Sequence, residues 1–373
     1  MARRKHGIRG AGSVYLRKDG RYGAEIKLDG KRRTFYGKTE KEAYEKMQQA
    51  LYEQKQGTLI TGPQQTVKQY LEYWLENVHK PSVRLITYFK RQGIVKNHLV
   101  PTLGHIKLRN LKPEHIEVLY AKMLNEEYQP STIELVHRVL SNALNHAVRR
   151  GLLARNVCAV VSKPRVPEQD RNILTIEQAR KLMEVAKGHR LEALLLVAVI
   201  TGLRGGELGA LKWQDINFDG RYLLVRHTAH RLPKVGFVED EPKTKSSRRK
   251  IALPQLVLDA LRQHKINQDT MKQKAGSKWK NLNLVFPNTV GNYQEVNYRN
   301  KMFLRFLKEA ELPPMRFHDL RHSAATILLS QGVNAKIVQE ILGHSNIKTT
   351  LGVYGHVLPG MQGDTMSKWD EWM

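Results

Sequence analysis

The sequence predicts a multidomain, helix-rich fold. It comprises a small α+β N-terminal domain, an all-α helical domain, and a mainly α domain with a small antiparallel sheet. The chain has 373 residues, which suggests two or three domains at about 150 residues per domain. Strand-type alternation is confined to the N-terminal region and to about 221–252, and helical periodicity dominates elsewhere. Polar stretches at 57–65 and 162–171 indicate linkers, so we expect domains at 1–60, 66–160 and 171–373.

Residues 1–60 are predicted to form a three-stranded antiparallel sheet followed by one helix. Asp-Gly pairs at 19–20 and 29–30 separate alternating runs, and Asp-Gly is the strongest short hairpin signal. Thr39 and Glu42 form a capping-box pattern, which predicts a helix that ends near Lys55. The core of such a unit is small, and its independent stability is marginal.

The N-terminal segment is also strongly basic. Residues 1–33 contain eleven Lys or Arg and three acids. A solvated surface explains such a run, but a small sheet also fits the DNA major groove, and we favour a DNA-binding sheet. The candidate contacts are Arg17, Lys18, Arg21, Lys31, Arg32 and Arg33.

Charge and composition limit the class of protein. With 62 Lys or Arg and 35 Asp or Glu the net charge is +27, which points to a polyanionic partner. The longest apolar run, 191–200, is far shorter than the ~20 residues of a membrane span. A single cysteine excludes an internal disulfide framework. We therefore expect a cytosolic protein without a membrane partner.

Residues 66–160 show only helical periodicity. Apolar residues recur at helical spacing from Val67, Pro113 begins a second helix, and Ser131 with Glu134 predicts the cap of a third. Their apolar stripes are most simply core.

Four strings stand out in the third segment. They are Thr-Gly-Leu-Arg-Gly-Gly-Glu-Leu at 201–208, Pro-Lys-Thr-Lys-Ser-Ser-Arg-Arg-Lys at 242–250, His-Asp-Leu-Arg-His at 318–322, and Leu-Gly-His at 342–344 with Tyr354 ten residues beyond His344. Each has a structural explanation on its own: Arg204 can pair with Glu207 on a helix, and the basic run can be an exposed hairpin. The spacing of His318 and His322 also suits zinc, but no third ligand is evident.

Taken together, the four strings resemble the tyrosine recombinase (phage integrase) family, in particular the three-domain integrases of temperate phages and conjugative transposons. The resemblance implies an arm-type DNA-binding domain, a helical core-binding domain and a catalytic domain. It implies that the catalytic residues are Arg204, Lys243, His318, Arg321, His344 and the nucleophile Tyr354. Lys245 is an alternative to Lys243, because the register of the hairpin is uncertain from sequence. Glu207 would support Arg204, and Lys245 and Arg248 would contact DNA.

The implied chemistry needs these residue types. Arginines neutralise the extra negative charge of a five-coordinate phosphorus, since no carboxylate cluster suggests a metal. The resemblance makes the lysine the acid for the leaving 5′ oxygen, while His318 relays the proton of the tyrosine and His344 orients the phosphate. The product is a 3′-phosphotyrosine and a free 5′-hydroxyl, so that rejoining through a four-way junction needs no cofactor.

The resemblance also implies partners and leaves alternatives. It implies arm-type and core-type attachment sites in double-stranded DNA, a homotetramer on DNA, an accessory DNA-bending or directionality factor, and work at the nucleoid in the cytoplasm of a bacterial host. Met366, Trp369 and Trp372 predict an apolar helical tail that docks in cis or in trans. A strand-swivelling enzyme like type IB topoisomerases and a non-catalytic DNA-binding regulator remain open.

Overall fold

A computed structural model describes residues 12–28, 31–55, 65–167, 172–241 and 248–347. Its contacts divide the chain into two compact units, Met1–Pro167 and Glu168–Met373. The first unit contains both the predicted N-terminal domain and the predicted all-α domain. The finer division at 1–60, 66–160 and 171–373 stays a prediction.

The N-terminal part contains the predicted sheet and helix. The strands are β1 (Ser13–Leu16), β2 (Tyr22–Leu28) and β3 (Lys31–Gly37), paired antiparallel in the order β1-β2-β3. Helix α1 (Glu40–Lys55) covers one face, where Ala24, Ile26 and Leu28 meet Ala43, Met47 and Ala50. The alternation of small apolar residues in β2 therefore produces a small core, and the other face of the sheet is left uncovered by α1.

The rest of the first unit is helical, as predicted. The α-helices are α2 (Val67–Tyr73), α3 (Leu85–Ile94), α4 (Val100–Leu103), α5 (Pro113–Asn125) and α6 (Pro130–Arg149), with π-helical turns at Trp74–His79 and Val95–Leu99. The predicted cap at Ser131 is wrong: Gln129 is the N-cap and α6 begins at Pro130, because proline has the backbone angle of a first helical position.

The second unit is mainly helical with small antiparallel sheets. Its α-helices are α7 (Ile176–Ala186), α8 (Glu192–Thr201), α9 (Gly205–Ala210), α10 (Gln255–Ala275), α11 (Val296–Glu309), α12 (Asp319–Ser330) and α13 (Ala335–Leu342). Its strands are β4 (Ile216–Asn217), β5 (Tyr222–Val225), β6 (Thr228–Leu232), β7 (Gly236–Asp240) and β8 (Arg249–Ala252).

Two sheets stand where the sequence predicted one. Strands pair in the order β4-β5-β8, and β6 and β7 form a separate hairpin. Arg226 and His227 lie between β5 and β6 and belong to neither strand, and β5 pairs with β8 while β6 pairs with β7. The chain that precedes residues 242–247 is therefore part of a two-stranded hairpin, β6–β7, that is separate from the other sheet.

The core of the second unit centres on α8. Seven of its ten residues are buried, and they pack with α7, α10 and α12. This explains the apolar run at 191–200, which is a buried helix of a globular unit. Across the described parts of the chain, no helix is long and apolar enough to cross a membrane.

Candidate active site

A tight turn between α8 and α9 places Arg204. Gly202 ends α8 in the left-handed region, at a φ of 60°. A Cβ at Gly202 would lie 2.6 Å from a methyl carbon of Leu342, so the end of α13 can approach this turn only because the residue is glycine. Two residues later Arg204 has extended backbone angles and is the N-cap of α9.

Glu207 is buried between two guanidinium groups. Its carboxylate accepts hydrogen bonds from the Arg204 backbone N–H at 3.0 Å and from Arg204 Nη1 at 2.8 Å. Arg249, the first residue of β8, donates from Nη2 to Glu207 Oε2 at 3.0 Å. The side chains of Glu207 and Arg249 are only 4% and 6% exposed. Burial alone would raise the pKa of Glu207, but the charge of Arg249 and the bonds from both arginines hold it below the ordinary value.

The C-terminal end of α13 binds three arginines through three consecutive carbonyls. Arg249 Nε donates to the carbonyl of Ile341 at 2.6 Å, and Arg321 Nη2 donates to that of Leu342 at 2.6 Å. Arg204 Nη2 donates to the carbonyl of Gly343 at 3.2 Å. The last carbonyls of a helix lack partners within the helix and form the negative end of its dipole. This end of α13 therefore draws the cations together.

Helix α12 contributes Arg321 and His318. Arg321 lies in the first turn, is 3% exposed, and also donates from Nη1 to the carbonyl of Gly202 at 2.8 Å. His318 directly precedes the helix. Buried Asp319 accepts hydrogen bonds from the backbone and side chain of Arg316, which fixes the start of α12.

Both histidines lie near the arginines, and both have lowered pKa values. His318 retains an exposed surface, yet the protein packed around it, followed by the charge of Arg321, lowers its pKa. For His344, which is half-buried, burial followed by the charges of Arg321 and Arg204 lowers the pKa to about 4. Both rings are therefore neutral at pH 7 in this structure. Each can accept a hydrogen bond at one nitrogen and donate one at the other.

The structure thus brings together five of the predicted site residues, namely Arg204, Glu207, His318, Arg321 and His344. Lys243, Lys245 and Tyr354 lie outside the described residues, as does the apolar tail. Arg248 is described: its exposed side chain pairs with Glu241. His318 and His322 stack edge to face at 5.4 Å between ring centroids. Among the described residues, no group of three or more His, Cys, Asp or Glu side chains has a metal-binding arrangement.

Gly205 and Gly206, which follow Arg204, are sites of close approach. A Cβ on Gly205 would lie 2.6 Å from the Arg299 guanidinium, which donates to the Gly205 carbonyl at 2.9 Å and covers the ring of Phe317. A Cβ on Gly206 would lie 2.6 Å from Thr228 Oγ1. Their φ angles are not positive, so the structure requires glycine at these positions for close approach and not for backbone freedom.

The six N-terminal candidates differ in their surroundings. In the register of β2 and β3, Arg32 lies opposite Lys27 on the face away from α1, and its side chain is 82% exposed. Arg33 lies opposite Ile26 in the same register, so it shares the face that α1 covers. At the first turn Lys18 is exposed, whereas Arg17 and Arg21 both pair with Asp19, at 3.4 and 2.8 Å. Lys31 lies in β3, and its side chain is not described.

Arg249 is the residue that sequence reasoning missed. It lies in the same basic run as Lys243 and Arg248, and the composition of this run does not distinguish a buried arginine from an exposed one. A signal was nevertheless present: Arg249 and Ile251 are two apart in a strand, so they share the face that packs inward. An arginine on the inward face of a strand needs a buried anion or carbonyl, and Glu207 and Ile341 supply them.

We expect Glu207→Gln to lower the free energy of unfolding at pH 7 by about 3–5 kcal/mol, as when a buried ion pair loses one charge. Because the pKa of Glu207 is lowered by folding, its carboxylate stabilises the fold above the ordinary value of about 4.3. That stabilisation is lost as the pH falls through the folded-state pKa.

Urea unfolding at pH 7 and at a series of pH values below about pH 5 measures the free energy of unfolding and its dependence on pH. The variant should show the shallower pH dependence. Glu309→Gln, which removes the exposed partner of Arg305, serves as the control. Parallel pH profiles for Glu207→Gln and the wild type would contradict the assignment.

The chain is similar to known integrases and tyrosine recombinases. The chain matches the phage integrase family over residues 172–360 and the N-terminal SAM-like domain of phage integrases over residues 66–124. A tyrosine recombinase described as XerC-like, from Caldanaerobacter subterraneus subsp. tengcongensis, is 34% identical over 346 residues, which cover 88% of each chain. The transposase of transposon Tn916 from Enterococcus faecalis is 26% identical and covers 80% of this chain and 76% of its own.

Solved structures share the fold. The integrase of transposon Tn1549, in complex with a circular intermediate DNA, has a TM-score of 0.70 at 24% identity over 82% of this chain and 99% of its own. The lambda integrase tetramer bound to a Holliday junction has a TM-score of 0.56 at 22% identity over 92% and 97%. The extent of the family matches, together with the shared fold, shows that the chain belongs to the phage integrase family and is a tyrosine-type site-specific DNA recombinase.

Proposed function

We propose that Arg204, His318, Arg321 and His344 bind one phosphate of the DNA backbone and that Tyr354 attacks its phosphorus. The observation that carries this proposal is the binding of Arg204 and Arg321 to the adjacent carbonyls of Gly343 and Leu342. Two guanidinium groups are thereby bound to the two carbonyls that directly precede His344 in the chain. Two guanidinium groups beside a histidine offer several hydrogen-bond donors and positive charge at one place, which suits the binding of a phosphate.

The two arginines differ in exposure, and this supports different roles. The Arg204 side chain is 37% exposed, so it can reach a phosphate in the DNA backbone. Arg321 is buried and holds Gly202 and Leu342 together, so it supports the site as well as supplying charge. Planar guanidinium groups offer paired donors to the non-bridging oxygens, whose negative charge grows in the transition state.

The neutral histidines suit proton transfer. A neutral His318 can accept the phenolic proton of Tyr354, whose ordinary pKa is about 10. A neutral His344 can donate one hydrogen bond to the phosphate. A bound phosphate would add negative charge near both rings and raise their pKa values, so that each becomes a better proton carrier when substrate is present.

The leaving 5′ oxygen needs a proton, and Lys243 is the proposed donor, with Lys245 as the alternative. Both lie in the stretch 242–247 between β7 and β8. The phosphotyrosine keeps the energy of the broken bond, so a 5′-hydroxyl from a second duplex can attack it and rejoin the strands. Two such exchanges, through a four-way junction, would integrate or excise a mobile element.

The proposal extends to the assembly on DNA. We propose a homotetramer on paired core-type sites, in line with the lambda integrase tetramer solved on a Holliday junction. Residues 66–160 would bind the core-type site, and the open sheet face with Arg32 and Lys27 would bind an arm-type site. An accessory bending or directionality factor would act on the same DNA. The work would take place at the nucleoid of a bacterial cell.

Tyr354→Phe should leave DNA affinity within about twofold and abolish the covalent complex, because the ring remains while the nucleophilic oxygen is lost. A suicide half-site substrate on a denaturing gel measures this, and Tyr298→Phe is the matched control. A covalent band of normal intensity from Tyr354→Phe would refute the assignment. Relaxation of supercoiled DNA without paired sites would instead favour a strand-swivelling enzyme.

Fragments 1–60 and 66–373 should protect different sequences of attachment-site DNA. A chain that holds two site types raises the effective concentration of its catalytic unit at the crossover site. Footprinting of the two fragments measures this. Arg32→Gln should weaken binding of the N-terminal fragment more than Arg33→Gln, because only Arg32 lies on the open face. Coincident footprints would remove the two-site proposal.

A further inference from the structure

The second strand of the β6–β7 hairpin has a carboxylate that is held from three directions. Lys212 Nζ donates to Glu239 Oε1 at 2.8 Å, and His227 Nδ1 lies 3.0 Å from the same oxygen. The Tyr293 hydroxyl donates to Glu239 Oε2 at 2.7 Å. We call these four residues the Glu239 cluster. None of them belongs to the proposed phosphate site.

The cluster is shielded from water. The side chains of Lys212 and Glu239 are 22% and 21% exposed, in contrast to the open surface pairs on the helices. Burial by itself would raise the pKa of Glu239, but the hydrogen bonds from Lys212 and Tyr293 outweigh it and lower the pKa. The carboxylate is therefore ionised at neutral pH. Charge-assisted bonds to both oxygens fix its orientation far better than an exposed pair does.

The cluster fastens the hairpin to the helix that begins after Arg204. Lys212 follows the end of α9 by two residues. On the other strand of the hairpin, Ala229 pairs with Glu239, and the Ala229 carbonyl would lie 3.0 Å from a Cβ on Gly206 in α9. Strand β6 thus packs on α9, and the ion pair ties β7 to the chain that directly follows α9.

The hairpin leads into the chain that contains the proposed acid. Strand β7 ends at Asp240, one residue after Glu239 and three before Lys243. On the far side β8 begins at Arg249, which Glu207 and the Ile341 carbonyl hold. The two described ends of this stretch are therefore anchored, one by the Glu239 cluster and the other by Arg249.

We propose that Glu239 is a positioning residue for the protonation of the leaving group. It fixes the hairpin from which the chain reaches Lys243, and so governs delivery of the proton. The inference rests on the proposed function. In that step the Tyr354 oxygen bonds to phosphorus and its phenolic proton passes to His318. The bond from phosphorus to the 5′ oxygen breaks, and the 5′ oxygen takes a proton from the lysine ammonium.

The test uses two suicide half-site substrates that differ in one atom. One has oxygen at the bridging 5′ position of the scissile phosphate, and the other has sulfur. A thiol has a pKa of about 8.5, so a thiolate leaves without a proton, whereas an alkoxide requires one. The sulfur substrate therefore bypasses the acid and leaves every other requirement in place. Single-turnover cleavage of both substrates is measured with the full-length protein.

Glu239→Gln should cleave the oxygen substrate at least about tenfold more slowly than the wild type, since a misplaced catalytic group loses rates of this order. On the sulfur substrate its cleavage rate should be within about twofold of the wild-type rate. Tyr293→Phe, which removes one hydrogen bond and keeps the ion pair, should show the same pattern with a smaller loss. Glu295→Gln is the matched control: Glu295 pairs with Arg231 of the same hairpin at 3.5 Å, and both side chains are exposed. It should cleave both substrates at wild-type rates.

Two results would overturn the inference. Equal losses on both substrates would show that Glu239 merely stabilises the fold, and an undiminished rate on oxygen would show that it has no role. Lys243→Ala and Lys245→Ala separate this inference from the proposed function. If sulfur rescues neither lysine variant, the assignment of the acid itself fails. If sulfur rescues a lysine variant but not Glu239→Gln, only the inference about Glu239 fails.

Discussion

Three guanidinium groups bound to consecutive carbonyls at the end of α13 are the interaction on which the site depends. Arg249, Arg321 and Arg204 come from β8, α12 and the turn before α9, elements that are far apart in sequence. Like charges gathered so closely repel one another. The helix dipole, the free carbonyls and the buried carboxylate of Glu207 offset that repulsion. The cations are therefore in place before any phosphate arrives.

Preorganisation of this kind is what catalysis of phosphate cleavage requires. A charged group that must first be collected from solvent contributes less to the transition state than one already fixed by the fold. The carbonyls of Gly202 and Leu342 hold Arg321, and Glu207 holds both Arg204 and Arg249. The Glu239 cluster joins the β6–β7 hairpin to the chain that follows α9, and in the proposed mechanism this hairpin leads to the lysine that protonates the leaving group. The polar contacts around Glu207 and those around Glu239 are thus two groups that α9 and the residues directly after it connect along the chain.

Much of the fold follows from local sequence signals, and the failures have physical causes. The Asp-Gly pairs, the capping-box pattern at Thr39 and Glu42, and the apolar periods located the N-terminal sheet, the start of α1 and the cores correctly, whereas the start of α6 was misplaced. The separation of β6–β7 from the other sheet was missed, because strand pairing depends on contacts distant in sequence. The candidate catalytic residues were chosen from their order along the chain, and four of the six, together with the supporting Glu207, meet in space. Arg249 and Glu239 were missed, since their importance lies in partners that no local pattern reveals.

The central claim is that buried contacts to Glu207 and to the end of α13 hold the cations ready for the phosphate. The most direct test is the single-turnover cleavage rate of Arg249→Lys, with DNA affinity measured alongside and Arg262→Lys, an exposed residue paired with Asp259, as the control. Lysine keeps the charge but cannot reach both Glu207 and the Ile341 carbonyl with planar paired donors. We expect at least about a tenfold loss of cleavage rate, with DNA affinity within about twofold of the wild type. Cleavage at the wild-type rate by a folded Arg249→Lys protein would contradict it.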